Sequence, residues 1–166
     1  MKAISLFVLI SLFLGLAGFR PDSKKEKKAK QQLEMARLIE SGKFRFVARS
    51  ASSELGYFSS LTQNYDLVFD SLQIRAFLPY YGRAYHVPYG GSGGIKFDLQ
   101  AEKIIKEWNE RKKMFYINAQ LADSQDSYSI YLTAGLNGFA DLKINFINRS
   151  WISYNGTIEK IESDKK

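Results

Sequence analysis

Hydrophobic and polar residues alternate along most of the chain after Gly42. A repeat of two residues is typical of β-strands that bury one face and expose the other. Short polar breaks separate the alternating segments in the second half of the chain, which is the pattern of antiparallel strands joined by tight turns. We therefore predict earlier strands around 44–48, 65–69 and 74–78, and then four consecutive antiparallel neighbours at 113–122, 127–134, 138–147 and 150–158.

A helix is predicted before the first strand, over residues 23–41. Ser23 and Glu26 have the spacing of a capping box, and Gly42 stands where a helix typically ends. The apolar side of this helix is short and consists of Met35, Leu38 and Ile39. We expect its last two turns to pack on the β domain, and its first two turns, rich in lysine from Lys24 to Lys30, to stay solvated.

Residues 1–18 have the organisation of a secretory signal peptide. Lys2 supplies a positive charge, a nearly unbroken apolar run follows, and small residues precede an expected cleavage after Ala17 or Gly18. The apolar run is shorter than the roughly 20 residues that span a bilayer. Because the chain contains no cysteine for lipid attachment, the sequence predicts export without a lipid anchor.

The composition fits a single domain held by packing and backbone hydrogen bonds. The chain has 166 residues, with 12 Phe, 10 Tyr and no cysteine, which excludes disulfides and cysteine-bound metals. The predicted organisation is a signal peptide at 1–18, a lysine-rich helix at 19–42, a β domain at 43–160 and a tail at 161–166.

The net charge of +7 is concentrated near the N-terminus. Residues 19–43 hold eight Lys and Arg against four Asp and Glu, whereas residues 44–166 hold fifteen against thirteen. A nucleic-acid-binding domain carries its basic patch on the folded body, so nucleic acid is not an expected partner. The segment Lys24–Lys30 predicts at most a weak attraction to a membrane surface, because no apolar residues accompany the lysines for insertion.

Motifs of common catalytic and cofactor sites are missing from the sequence. His86 is the single histidine, and it has no partner at a recognisable spacing for a catalytic triad or a zinc site. The glycine-rich segment 90–94 lacks the lysine and hydroxyl residue of a phosphate-binding loop. We predict no catalytic residue, no cofactor and no metal site.

The segment 78–97 is the most distinctive part of the chain. It contains four tyrosines, two of the three prolines and five of the 12 glycines. The first alternative is a long ordered crossover whose tyrosines cover one end of the sheet. The second alternative is a contact surface for a glycan, a peptide or a partner protein, because tyrosine gives stiff contact area at small entropy cost. The candidate binding residues for the second alternative are Tyr80, Tyr81, Arg83, Tyr85 and Tyr89.

The same segment carries a resemblance to a known family. Residues 77–97 read FLPYYGRAYHVPYGGSGGIKF. Further matches lie at 39–44, 61–65 and 152–156. In these residues the chain resembles an exported family of Bacteroides-type bacteria known as domain of unknown function 4251, over roughly 24–160. Phe77 stands where that family usually has tyrosine, and the resemblance implies no activity and no catalytic residue.

The residues between 101 and 111 fit a helix and a strand equally well by their own periodicity. The family resemblance implies the strand. In this arrangement a strand over 102–108 pairs with the strand at 113–122 through a charged turn at 109–112.

We expect one mostly β domain with one N-terminal helix, in which eight or nine antiparallel strands form a sandwich or a partly open barrel. The expected function is a non-enzymatic binding or structural module of the bacterial cell envelope, in the periplasm or at the cell surface. One alternative is a hydrolase of envelope polymers that uses carboxylates, although the pairs Asp66/Asp70 and Asp123/Asp126 look like solvated polar positions. The other is a barrel that carries an apolar ligand in an internal cavity.

Overall fold

The structure is a computed structural model that describes residues 23–83, 94–124 and 126–161. The predicted helix is confirmed as α1 (Ser23–Ser41). It is followed by β1 (Lys43–Ser53), β2 (Phe58–Asp70), β3 (Gln73–Pro79), β4 (Gly94–Gln100), β5 (Lys103–Asn109), β6 (Met114–Ala122), β7 (Ser127–Gly135), β8 (Phe139–Phe146) and β9 (Ile152–Glu159).

The predicted signal peptide at 1–18 lies outside the described residues, as does nearly all of the predicted tail at 161–166. Within the described ranges, no helix combines the length and the apolar character needed to cross a membrane.

The nine strands of the described residues belong to one antiparallel sheet with the order β4-β3-β2-β1-β9-β8-β7-β6-β5. The four consecutive neighbours predicted in the second half of the chain are confirmed as β6, β7, β8 and β9. The first and last strands of the sequence, β1 and β9, pair in the middle of the sheet. The sheet edges are therefore β4 and β5.

These two edge strands are consecutive parts of the chain. Because neighbouring strands are antiparallel throughout a sheet of nine strands, β4 and β5 run in the same direction. Between them, the Ala101 N–H donates to the Leu72 carbonyl (N···O 2.8 Å) and the Glu102 N–H donates to the Gln120 carbonyl (2.9 Å). The chain thus passes from the side of β3 to the side of β6, and the single sheet curls into a partly open barrel rather than a two-sheet sandwich.

The strand alternative for residues 101–111 is therefore correct. β5 pairs with β6, as the family resemblance implied. Its residues Ile104 and Trp108 are half-buried, and the Trp108 and Phe115 rings lie 4.7 Å apart between centroids. Lys106 lies on the same inward face, since side chains two residues apart share one face of a strand.

The inner side of the curled sheet encloses the hydrophobic core. The largest fully buried side chains include Tyr154, Phe44, Phe46, Phe69, Ile39 and Leu67. Phe44 and Phe69 stack with ring centroids 4.9 Å apart. Each such side chain contributes roughly 1.5–3 kcal/mol by leaving water, so aromatic and aliphatic packing stabilises a chain that has no cysteine for disulfides.

The second half of α1 packs on this core through Ile39, which is 0% exposed. The helix ends at Gly42, whose φ of 70° favours glycine, and the Gly42 N–H donates to the Ile39 carbonyl (3.2 Å). The predicted docking of the last two turns is confirmed. The lysine-rich residues 23–31 are all exposed.

Candidate functional site

Three of the five predicted contact residues lie at the end of the barrel where β3 stops. Tyr80, Tyr81 and Arg83 directly follow β3, whereas Tyr85 and Tyr89 lie outside the described residues. The hairpin between β1 and β2 and the loop between β8 and β9 reach the same end, as the pairing of β1 with both β2 and β9 requires.

Tyr80 anchors the segment that follows β3. Its hydroxyl lies 2.9 Å from the Arg83 carbonyl, 2.9 Å from the Ser150 carbonyl and 3.1 Å from the Ser150 hydroxyl. The Arg83 N–H donates to the Ser150 hydroxyl (3.0 Å), and the Ser150 N–H donates to the Arg83 carbonyl (2.9 Å). Residues 80–83 are therefore held against the β8–β9 loop, and Tyr80 has the packing role of the first alternative.

A cation and three rings reinforce this anchor. The Arg149 guanidinium lies 5.6 Å from the Tyr80 ring centroid and 5.7 Å from that of Phe146. The Phe146 ring makes T-shaped contacts with the rings of Tyr80, at 5.6 Å between centroids, and Tyr128, at 5.8 Å. Cation–π contacts that are shielded from water stabilise such a cluster by about 1–2 kcal/mol.

Asp126 holds the β8–β9 loop from below. Its residue is 6% exposed, and its Oδ1 accepts hydrogen bonds from the N–H groups of Ser127 (2.9 Å), Ile147 (3.1 Å) and Asn148 (3.3 Å). The Arg149 Nε lies 3.5 Å from its Oδ2. The expectation that Asp126 is a solvated turn residue is wrong, because the chain folds three backbone N–H groups around its carboxylate.

Two buried phenols complete the end of the core. The Tyr154 hydroxyl donates to the Pro79 carbonyl (2.6 Å), and the Tyr128 hydroxyl donates to Asp123 Oδ2 (2.9 Å). Burial raises the pKa of Tyr154 above its usual range. Burial, and then the hydrogen bond to Asp123, raise the pKa of Tyr128 in the same direction. Both phenols act as neutral hydrogen-bond donors.

Tyr81 differs from Tyr80 because its ring faces the β1–β2 hairpin. The Tyr81 and Tyr57 rings lie 5.0 Å apart between centroids. Tyr57 is 51% exposed, and its hairpin neighbours Leu55 and Phe58 are each 63% exposed. We call the four side chains Leu55, Tyr57, Phe58 and Tyr81 the aromatic end.

The hairpin is shaped by its own backbone. The Gly56 φ is 78°, the Gly56 N–H donates to the Ser53 carbonyl (3.0 Å), and the Ser53 N–H donates to the Tyr57 carbonyl (2.9 Å). The residues of this hairpin are not among the contact residues predicted from the sequence. The signal was present, since three large apolar residues surround a turn glycine, where polar residues are normally found.

The carboxylates considered for a hydrolase have contacts of their own. Asp70 pairs with Lys43 at 2.8 Å, and Asp123 Oδ1 accepts the Asp126 N–H (2.8 Å). Burial raises the pKa of Asp66, against the opposing effect of two nearby arginines. Across the described ranges, no group of three acidic or histidine side chains is placed to hold a metal ion. The hydrolase alternative stays a prediction that these contacts do not test.

Replacing Tyr80 with phenylalanine should lower the free energy of unfolding by about 1–2 kcal/mol, because the carbonyls of Arg83 and Ser150 lose a donor. Denaturant titration followed by tryptophan fluorescence measures this change. The matched control is Tyr131→Phe on β7, whose ring is 44% exposed, with an expected change below about 0.5 kcal/mol. Equal losses in the two variants would contradict the anchoring role of Tyr80.

The fold and this surface define a class: a curled antiparallel β-sheet protein with an N-terminal helix and an exposed aromatic end. Residues 26–158 match the family described as Domain of unknown function (DUF4251). The chain belongs to that family, so the resemblance seen in its sequence is confirmed.

The fold is similar to that of a solved relative. The crystal structure of a DUF4251 family protein from Bacteroides eggerthii superimposes with a TM-score of 0.62 at 17% sequence identity, over 80% of this chain and 89% of that chain. At this identity the likeness establishes the shared fold. A comparison with curated proteins gave no match.

Proposed function

We propose that the protein is an exported, non-enzymatic binding module of the bacterial cell envelope, and that the aromatic end contacts its partner. The observation that carries the proposal is the Tyr57–Tyr81 ring pair, with centroids 5.0 Å apart, in which Tyr57 belongs to a hairpin that also exposes Leu55 and Phe58, each 63% exposed. Clustered apolar side chains on a surface are typical of interaction sites.

The surroundings of the aromatic end favour tight contact. Tyr81 directly follows Tyr80, whose hydroxyl is held by Arg83 and Ser150, and Tyr57 belongs to a hairpin closed by backbone hydrogen bonds. A surface that is already ordered loses little conformational entropy on binding. Arg83, two residues after Tyr81, is exposed and can supply a charged contact at the rim of an interface.

The chemistry of the aromatic end favours a protein or peptide over a glycan. Leu55 and Phe58 have no polar group that could recognise sugar hydroxyls, whereas tyrosine at the centre of an apolar patch is typical of protein interfaces. The partner would present an apolar pocket or ridge that covers these side chains.

Export has a direct test by mass. The charge, apolar run and small residues of 1–18 support removal of this segment. The protein isolated from expressing bacteria should have the intact mass of a chain that starts at Gly18 or Phe19. A full-length mass in the envelope fraction would contradict the proposal and indicate a retained N-terminal segment.

Site-specific photocrosslinking in the encoding bacterium tests the aromatic end. A photoreactive amino acid at Glu54, which is exposed in the hairpin beside Leu55, should give a discrete adduct with one protein. The paired substitution Leu55→Ser and Phe58→Ser should reduce its yield at least tenfold, because central apolar contacts are worth about 2 kcal/mol or more in an interface.

Position 131 on β7 is the matched control, since Tyr131 is exposed outside the aromatic end. It should give no adduct. The same adduct from both positions, or an adduct insensitive to the paired substitution, would overturn the proposal. An adduct that glycosidase treatment removes would identify the partner as a glycan instead of a protein.

A further inference from the structure

A pocket opens at the other end of the strands that carry the aromatic end. It has a volume of about 310 Å³ and lies between the C-terminus of α1, the turn from β2 to β3, and β5. Phe44, Phe69 and Ile117 form its buried floor, and Ile104 is its half-buried wall. The fully buried Phe46 and Tyr154 fill the barrel interior further in, so the pocket is a separate cavity at the mouth.

The bend between β4 and β5 explains why the barrel is open here. The chain leaves β3 after β4, and β5 pairs with β6 at the edge of the sheet. The pocket lies between β5 and the β2–β3 turn, whose residues Ser71 and Leu72 line it. The inward residues of β5 therefore face the opening instead of a neighbouring strand. Two of them, Ile104 and Lys106, line it.

The charge at this opening is positive. Among the nine described residues that line the pocket, Lys106 is the charged one, and the other polar side chains are the hydroxyls of Ser41 and Ser71. The Lys106 ammonium donates to the Glu40 carbonyl (2.7 Å), which places it at the rim next to the end of α1. An ammonium has three donors, so this contact leaves capacity for an anionic ligand group.

We propose that this pocket binds a medium-chain carboxylate, with its alkyl chain on the apolar floor and its carboxylate on Lys106. The volume lies at the small end of the range for ligand sites, about 300–1,000 Å³. It corresponds to on the order of ten water volumes of about 30 Å³ each, which is close to the number of non-hydrogen atoms in octanoate. A floor without polar side chains excludes a more hydrophilic anion as the best ligand.

This inference does not depend on the proposed function, because the two sites lie at opposite ends of β1, β2 and β3 and share no residue. Failure of the crosslinking experiment would leave the pocket untouched. Failure of the experiment below would leave the aromatic end untouched.

The test is a titration of the purified protein with octanoate, followed by NMR shifts of backbone amides. Saturable shifts are expected at residues lining the pocket, with a dissociation constant on the order of 1 mM or tighter. Octylamine, which has the same chain and the opposite charge, should bind at least tenfold more weakly. Acetate, which lacks the chain, should give no saturable shift at these residues.

Two variants assign the roles of the charge and the wall. Lys106→Met should weaken octanoate binding about tenfold, whereas Lys106→Arg, which keeps the positive charge, should bind octanoate as the unchanged protein does. Lys103→Met removes a lysine from the other face of β5 and should leave octanoate binding unchanged. Lys106 also contacts the end of α1, so its replacement could change the fold as well as the charge. Ile104→Trp is an independent test that keeps the charge, and it should abolish saturable octanoate binding by filling the pocket. Octanoate binding that survives both Lys106→Met and Ile104→Trp, or octylamine binding equal to octanoate binding, would overturn the proposal.

Discussion

Replacing Asp126 with alanine should lower the free energy of unfolding by about 3–5 kcal/mol. The variant removes the acceptor of three backbone N–H groups and the partner of Arg149 at once. The N–H groups and the Arg149 guanidinium surround the Asp126 side chain, which is 2% exposed. Water therefore cannot replace the lost acceptor. Chemical denaturation at neutral pH measures the loss, and the β8–β9 loop should be the first segment to gain hydrogen-exchange rate.

The control for Asp126 is Asp141→Ala on β8. Asp141 is exposed, and it accepts a hydrogen bond from the Asn155 side chain on the outer face of the sheet. Its loss should cost less than about 1 kcal/mol. Asp126→Asn retains Oδ1 and should fall between the two alanine variants. If Asp126→Ala and Asp141→Ala were equally stable, the buried carboxylate would not be what holds the loop.

Gly156→Ala should cost about 3 kcal/mol or prevent folding, although it adds only one methyl group. A Cβ at this position would overlap the Val47 carbonyl oxygen and would approach the Phe46 ring to 2.8 Å. Both neighbours belong to β1, just before the register shift between Ala48 and Ser50 that also shifts its pairing with β9. A thermal melt followed by far-UV circular dichroism checks the expected loss.

Gly56→Ala separates steric overlap from backbone strain. Gly56 has a φ of 78°, and a Cβ there would meet no atom within 4 Å. This substitution should cost about 1 kcal/mol through backbone conformation alone. A Gly156→Ala loss no larger than that of Gly56→Ala would show that β1 and β9 adjust to the added methyl group, against our expectation.

Tyrosine content alone does not distinguish packing residues from contact residues in the candidate surface. From the sequence, Tyr80 and Tyr81 are predicted alike as contact residues of the segment after β3. The structure separates them: the Tyr80 hydroxyl is bound to Ser150 in a distant loop, whereas the Tyr81 ring faces Tyr57. Adjacent residues after a strand can face different neighbours, and which neighbours are present depends on the order of strands in the sheet.

Asp126 shows the same limit for charged residues. A short polar break between two strands is normally solvated, and Asp123 and Asp126 both fit that pattern. Asp126 is buried because the turn from β8 toward β9 folds over it and supplies N–H donors from Ile147 and Asn148. These donors lie 21 and 22 residues away from Asp126 in the sequence. The local sequence around Asp126 therefore does not predict that they contact its carboxylate.

The sequence by itself determined which faces of β6 to β9 are buried, where α1 ends, and that these four strands are consecutive neighbours. These features depend on local spacing, because a period of two assigns each side chain to one face and short turns allow only adjacent pairing. The tertiary structure alone decided that β1 pairs with β9 and that the chain bends between β4 and β5, the two edges of the partly open barrel. Alternation specifies a face to be covered but not the distant strand or loop that covers it, so the anchor at Ser150, the aromatic end and the pocket beside Lys106 became visible only in three dimensions.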